Sequence, residues 1–363
     1  MRDAPELPGP VIVGMLRDRY GIASPTLEFL PLGNDSGTFV YRVESANGRS
    51  RFLKLRALDR FRGASLLVPR HLHERGVPNV LAPVPAHDGA AWVRLGAYVA
   101  ALYPFLAGRT ATEAGLSTAR WRDLGATLRQ VHDTRLPATL RAVMPSATFT
   151  TEWHERFTSL ETHLMRDADL RGGGAGSEVA PGGDPVLSAI VTTWREHTAE
   201  IRALIDGADT LERHMRETNP PHVLCHADFH TWNVVVDDEA GMWIVDWDEV
   251  VLAPKERDLM FVVGGIGRGL VQPDETASFM EGYGETEIDP EALTYYRYAW
   301  ALRDIGAYVG DALGAHGDAL GDPSRTGAVR SEAARWDAAK GFALQFDDGN
   351  MVEIALGRSS VGR

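Results

Sequence analysis

With 363 residues, 44% of them apolar, the chain is long enough for two ordinary domains or one large two-lobed enzyme with a full core. A net charge of −13 argues against a nucleic-acid partner and serves mainly solubility, with a mild bias towards a cationic ligand. No run approaches the roughly 18 uncharged apolar residues of a membrane span, the start MRDAPELPGP does not read as a secretory signal, and the single cysteine, Cys225, excludes an internal disulfide and a cysteine-built zinc site.

A cytoplasmic protein without a membrane partner is therefore expected. Its basic residues are almost all arginine, and Lys54, Lys255 and Lys340 are the only lysines.

In chain order, the first hundred residues read as a small β-rich unit. Residues 39–43 (FVYRV) and 51–55 (RFLKL) are two strand-like runs joined by a turn at Asn47 and Gly48. Before them, Gly33, Ser36 and Gly37 sit in a loop whose backbone N–H groups and Ser36 hydroxyl suit phosphates. A helix is predicted over about 65–75, and the stretch AWVRLGAYVAALYPFL predicts a second hairpin that closes the unit near Tyr103.

From about Thr110 the spacing turns helical, as in STARWRDLGATLRQVHDT and PVLSAIVTTWREHTAEIRALIDGA. The Gly- and Pro-rich run 171–185 reads as a mobile loop inside this second part, and GRSSVGR as a frayed tail. Two domains are expected, 1–103 for nucleotide binding and 104–363 for catalysis and substrate.

Residues 222–259 carry the chemistry. A strand over 223–225 delivers His226 and Asp228; Asn233 follows at the mouth of the next strand, and a hairpin turning at 238–241 returns the chain to Asp246. Asn233 and Asp246 then share one hairpin end, where an amide oxygen and a carboxylate are hard ligands suited to Mg²⁺. Asp228, on the preceding loop, can orient an incoming hydroxyl and accept its proton. His226 reads as a hydrogen-bonding residue that shapes the loop. A rival grouping of His222, His226, Asp228 and His230 permits a zinc hydrolase, but leaves Asn233 and Asp246 without a role.

HADFHTWN followed by IVDWD resembles the catalytic loop and metal-binding Asp of the aminoglycoside phosphotransferase and choline kinase superfamily. The resemblance implies an α+β, bilobal, protein-kinase-like fold, with a small β-rich N-lobe and a larger, mainly helical C-lobe. It also implies ATP between the lobes, with GTP not excluded, Asp228 as catalytic base and Asn233 and Asp246 as magnesium ligands.

Lys54, a lysine interrupting an apolar strand after the glycine loop, reads with this motif as the phosphate-binding lysine. By position Tyr103 and Phe105 match the inter-lobe hinge, whose carbonyl and N–H hold the purine, and Asp258 matches the Asp that braces the catalytic loop. One departure stands out: no acid lies in 65–70 to pair with Lys54, and Glu74 is the nearest.

DWDEVVLAPKERDLMFVVGG and YYRYAWALRDIGAYVGDA are similar to spectinomycin phosphotransferases. That branch implies an aminocyclitol antibiotic as acceptor and a resistance or self-protection role. Because spectinomycin carries secondary amines, Asp248 and the Asp304, Tyr308 and Asp311 face, at i, i+4 and i+7, are candidate substrate contacts. Another natural product such as a nucleoside antibiotic or an aminoglycoside, a small metabolite, and a nucleotide-binding pseudokinase remain alternatives. A monomer or homodimer is expected.

Overall fold

The structure, a computed structural model, describes residues 4–31, 37–170, 183–237, 241–263, 271–313, 332–347 and 350–357. Two compact units emerge, one from 1–146, 222–258 and 277–285, the other from 147–221, 259–276 and 286–363. Among the described residues no helix is long and apolar enough to cross a membrane.

The first unit opens with helix α1 (Gly9–Tyr20) and a five-stranded antiparallel sheet of β1 (Thr26–Leu30), β2 (Thr38–Glu44), β3 (Ser50–Ala57), β4 (Val93–Leu95) and β5 (Tyr98–Pro104), ordered β1-β2-β3-β5-β4. The expected hairpin forms in the register Val40 to Lys54, with Gly48 at φ 76° in its turn, a region that costs a residue with a Cβ more than it costs glycine.

Alternation along β3 decides what each face does. Leu53 and Leu55 point into a core with Ile12, Leu16, Val43 and Leu102, which puts Lys54 and Arg56 together on the opposite face. On that face helix α2 (Ala64–Glu74) contributes Leu66 to a smaller cluster with Ala101, packed by Tyr103.

Later segments complete this unit. A three-stranded sheet orders β6 (Arg109–Thr110), β8 (Val234–Asp237) and β9 (Gly241–Ile244), while β7 (Val223–Cys225) pairs with β10 (Val251–Ala253). The Thr118–His132 helix lies so close to residues 279–283 that a Cβ on Gly282 would fall 1.9 Å from the Arg122 carbonyl oxygen.

The second unit is helical. Its Trp153–Leu170, Pro185–Glu196, Thr198–Thr218, Pro290–Leu313 and Glu332–Leu344 helices bury Phe157, Trp194, Leu204, Ile305 and Phe342. The long amphipathic stretch read from 185 onward is broken at His197, whose φ −110°, ψ 18° ends one helix and opens the next. Of the expected Gly- and Pro-rich loop over 171–185, residues 171–182 lie outside the described residues, as does the tail beyond 357, while Asp184 caps a helix that already starts at Pro185.

Candidate active site

The loop that carries Asp228 is braced by a buried carboxylate. Asp258, fully buried, accepts hydrogen bonds from His226 N (2.8 Å) and Ala227 N (2.6 Å), and its Oδ2 lies 3.1 Å from His132 Nε2. His132 Nδ1 meets the Tyr283 hydroxyl at 2.7 Å. These contacts hold Ala227 at φ 68°, a left-handed conformation unfavourable for a residue with a Cβ. His226 shapes the same turn, its Nε2 2.9 Å from the Val245 carbonyl and its Nδ1 accepting from Asp228 N at 3.3 Å.

Asp228 emerges from that turn into a polar cage. Asn233 Nδ2 donates to the Asp228 backbone oxygen (2.9 Å) and to its Oδ2 (2.7 Å), and His230 Nε2 lies 3.2 Å from Oδ1. Burial works against ionisation of this carboxyl, but the hydrogen bond and charge of His230, the nearby His226 and the Asn233 amide outweigh it and hold Asp228 well below the usual carboxylate range.

Asn233 closes the short Thr231–Asn233 turn and enters β8, and its carbonyl accepts from Val245 N at 2.9 Å. The same hairpin end therefore carries Asn233 and the residue after Val245, Asp246. Its tip at 238–240 lies outside the described residues. Asp246 adopts φ 59°, ψ 63°, and Trp247 behind it is buried, donating its indole N–H to Ile244 O at 3.1 Å.

Lys54 reaches this turn from β3, with Nζ 2.9 Å from Asp246 Oδ1 and 2.6 Å from Asp248 Oδ2; Arg56 Nη1 lies 2.8 Å from Asp248 Oδ1. Burial disfavours the ammonium, yet the two carboxylates more than compensate and raise Lys54 above its ordinary value. Asp246 moves the other way: burial and the Asp228 charge push it up, and Lys54 holds it down.

The donor set suits a hard divalent cation. The Asn233 amide nitrogen is committed to Asp228, so its oxygen is turned away from that carboxylate, and Asp246 has a second oxygen besides the one on Lys54. The zinc grouping does not form. His222 bonds Ser146 (3.0 Å), while His226 and His230 go to the separate partners given above. Among the described residues the one close trio of metal-ligand type is His132, Cys225 and Asp258. There Asp258 is taken up by loop amides, and Cys225 Sγ faces the carbonyls of Ala253 and Pro254 at 3.5 Å.

Of the other expected residues, Gly33 and Ser36 lie outside the described set. Gly37 accepts from Ala57 N at 2.9 Å, and a Cβ on it would sit 2.9 Å from the Arg60 side chain. Tyr103 pairs with Phe52 near the end of β5, and Phe105 follows with the Arg42 guanidinium 4.7 Å above its ring. Glu74 binds Arg70 at 2.7 Å, so the acids on Lys54 are Asp246 and Asp248.

Asp248, expected at the substrate, sits between Lys54 and Arg56. Asp304, Tyr308 and Asp311 lie half-buried on the Pro290–Leu313 helix of the second unit, and a Cβ on Gly341 would fall 2.4 Å from the Tyr308 ring. Arg56 and the His132–Tyr283 brace have no role in the reading of the sequence, and His230 enters it only through the zinc grouping. Only Arg56 had a readable signal, its two-residue offset from Lys54 on one strand.

A lysine on an antiparallel sheet, an Asp and Asn on a braced loop, and a second Asp one hairpin away define a kinase-like phosphotransferase site. Residues 28–298 match the phosphotransferase enzyme family, and the chain belongs to that family.

Among solved structures it is similar to spectinomycin phosphotransferase, APH(9)-Ia, in complex with ADP and spectinomycin. That likeness has 29% identity and a TM-score of 0.81, over 98% of this chain and 99% of the other. The AMP-bound complex of the same enzyme matches at 29% identity and a TM-score of 0.74, over 97% and 98%. Protein StrN of Streptomyces griseus is 28% identical over 302 residues, 82% of this chain and 83% of StrN.

Proposed function

We propose that this chain is an ATP-dependent, magnesium-requiring O-phosphotransferase that phosphorylates a hydroxyl of a small-molecule antibiotic, an aminocyclitol such as spectinomycin, for resistance or self-protection. The observation that carries the reading is the Asn233 amide, which fixes Asp228 by two hydrogen bonds while turning its own oxygen away. Similarity to a spectinomycin phosphotransferase along almost the whole chain supports the acceptor class.

In this reading Asp228 receives the acceptor hydroxyl. A carboxylate held below its ordinary range is a weak base, so its work is to orient the hydroxyl and take its proton late, as the new P–O bond forms and the bond to ADP breaks. Lys54 offsets charge on the phosphates. A magnesium ion held by Asn233 and Asp246 would supply further neutralisation of those oxygens. Tyr103 and Phe105 would hold the purine through their backbone, with Gly33, Ser36 and Gly37 over the phosphates. Asp304, Tyr308 and Asp311 are the proposed acceptor contacts.

The test is ATP consumption with Mg²⁺ against aminocyclitols, aminoglycosides, nucleoside antibiotics, choline and simple sugars, with mass detection of the added phosphate. Spectinomycin-dependent turnover, abolished in Asp228→Ala with ATP still bound, is the expected result. Turnover on another member replaces the acceptor and keeps the chemistry. A fully active Asp228→Ala refutes the assignment.

A further inference from the structure

Helix α2 offers Lys54 no partner. Its one acid, Glu74 at the last turn, is engaged by Arg70. What packs against α2 is the short Trp247–Glu249 turn, and that turn brings Asp248.

The two-residue period of β3 places Lys54 and Arg56 side by side on one face. Asp248 answers both, one oxygen to each, at 2.6 and 2.8 Å. The three side chains are largely shielded, 17%, 12% and 21% exposed for Lys54, Arg56 and Asp248, so removal of the shared anion takes from poorly hydrated Arg56 its carboxylate at 2.8 Å and leaves Lys54 with Asp246 alone. The turn is not free to drift, because buried Trp247 is tied to Ile244 between the two acids.

We propose that Asp248 is the positioning residue for Lys54: bridging Lys54 and Arg56, it takes the place of an acid on α2 and sets the ammonium where phosphates are to be met. Without it, the remaining carboxylate on Lys54 among the described residues is Asp246, whose oxygens the cation site needs. The inference rests on the function proposed above and removes Asp248 from the acceptor contacts.

The experiment compares wild type, Asp248→Asn, Asp248→Glu and Arg56→Gln by the ¹⁵N-ammonium resonance of Lys54 and by steady-state kinetics. With three lysines in the chain, that resonance is readily assigned. In Asp248→Asn the slowly exchanging Lys54 signal is expected to be lost, with kcat/KM for ATP down about tenfold or more and acceptor KM within about twofold of wild type. Asp248→Glu is expected to recover ATP kinetics to within about threefold of wild type, which a merely structural defect would not show.

Should Asp248→Asn fail to fold, Arg56→Gln, which leaves Asp248 in place, is expected to shift the Lys54 signal without abolishing it. An unchanged Lys54 signal overturns the proposal. So does a rise confined to acceptor KM, or a defect cured by excess Mg²⁺, which would put Asp248 on the acceptor or on the metal. A wild type without nucleotide-dependent turnover sinks the proposed function instead, and the resonance still tests the anchor.

Discussion

Replacing Asp258 by Asn keeps the shape of the side chain and exchanges one acceptor oxygen for a donor. Asp258 is fully buried, with Oδ1 taking Ala227 N and Oδ2 taking His226 N beside His132 Nε2. Whichever way the amide settles, an N–H faces an N–H. A hydrogen bond to a charged group contributes about 1.5–3 kcal/mol, and a buried donor left unpaired costs about 1–3 kcal/mol, so the loss is about 2.5–6 kcal/mol. Urea unfolding should register it as a lower midpoint at unchanged slope. Turnover should fall too, because Ala227, held in its left-handed conformation by that carboxylate, immediately precedes Asp228. Tyr283→Phe, which removes only the hydroxyl on His132 Nδ1, should cost about 1 kcal/mol. An Asp258→Asn protein within about 1 kcal/mol of wild type and equally active would refute the bracing role.

Three further expectations follow from the same geometry. The Asp228 carboxyl is half-buried, and His230, His226 and Asn233 depress it against the cost of that burial, so its ionised form stabilises the fold above the unfolded carboxyl value of about 4, and that contribution is lost as pH falls through the folded value. Any melting-temperature advantage of wild type over Asp228→Asn should therefore shrink from pH 6 towards pH 2, and an advantage that grew with acid would contradict the reading. Cys225 is buried, and burial pushes its thiol up well above the ordinary range, so a thiol reagent should find no reactive group in the native protein and one after denaturation; native labelling would argue against this burial. Gly282→Ala should lower stability by about 1–3 kcal/mol in a denaturant titration, because the new methyl meets the Arg122 backbone and not a yielding side-chain end; a neutral substitution would mean the two segments can separate.

Local spacing carried much of this site. Period-two alternation placed Leu53 and Leu55 on one face of β3 and Lys54 on the other, and the hairpin placed Asn233 and Asp246 at one end, because both relations lie within a single pair of strands. Relations that cross the chain were not legible in the same way. His132 and Tyr283, 151 residues apart, meet only because the Thr118–His132 helix and residues 279–283 pack closely at Gly125 and Gly282. The break at His197 has neither proline nor glycine to announce it.

The missing acid on α2 shows the difference most clearly. Read along the helix, its absence counts against the lysine clamp. In the fold, a carboxylate 194 positions away supplies the charge, since electrostatics asks only for an anion within reach and in a shielded place. An acid beside Asp246 looks free to meet an amine when read along the chain, but in the fold Lys54 and Arg56, two residues apart on the same strand face, lie at both oxygens of Asp248.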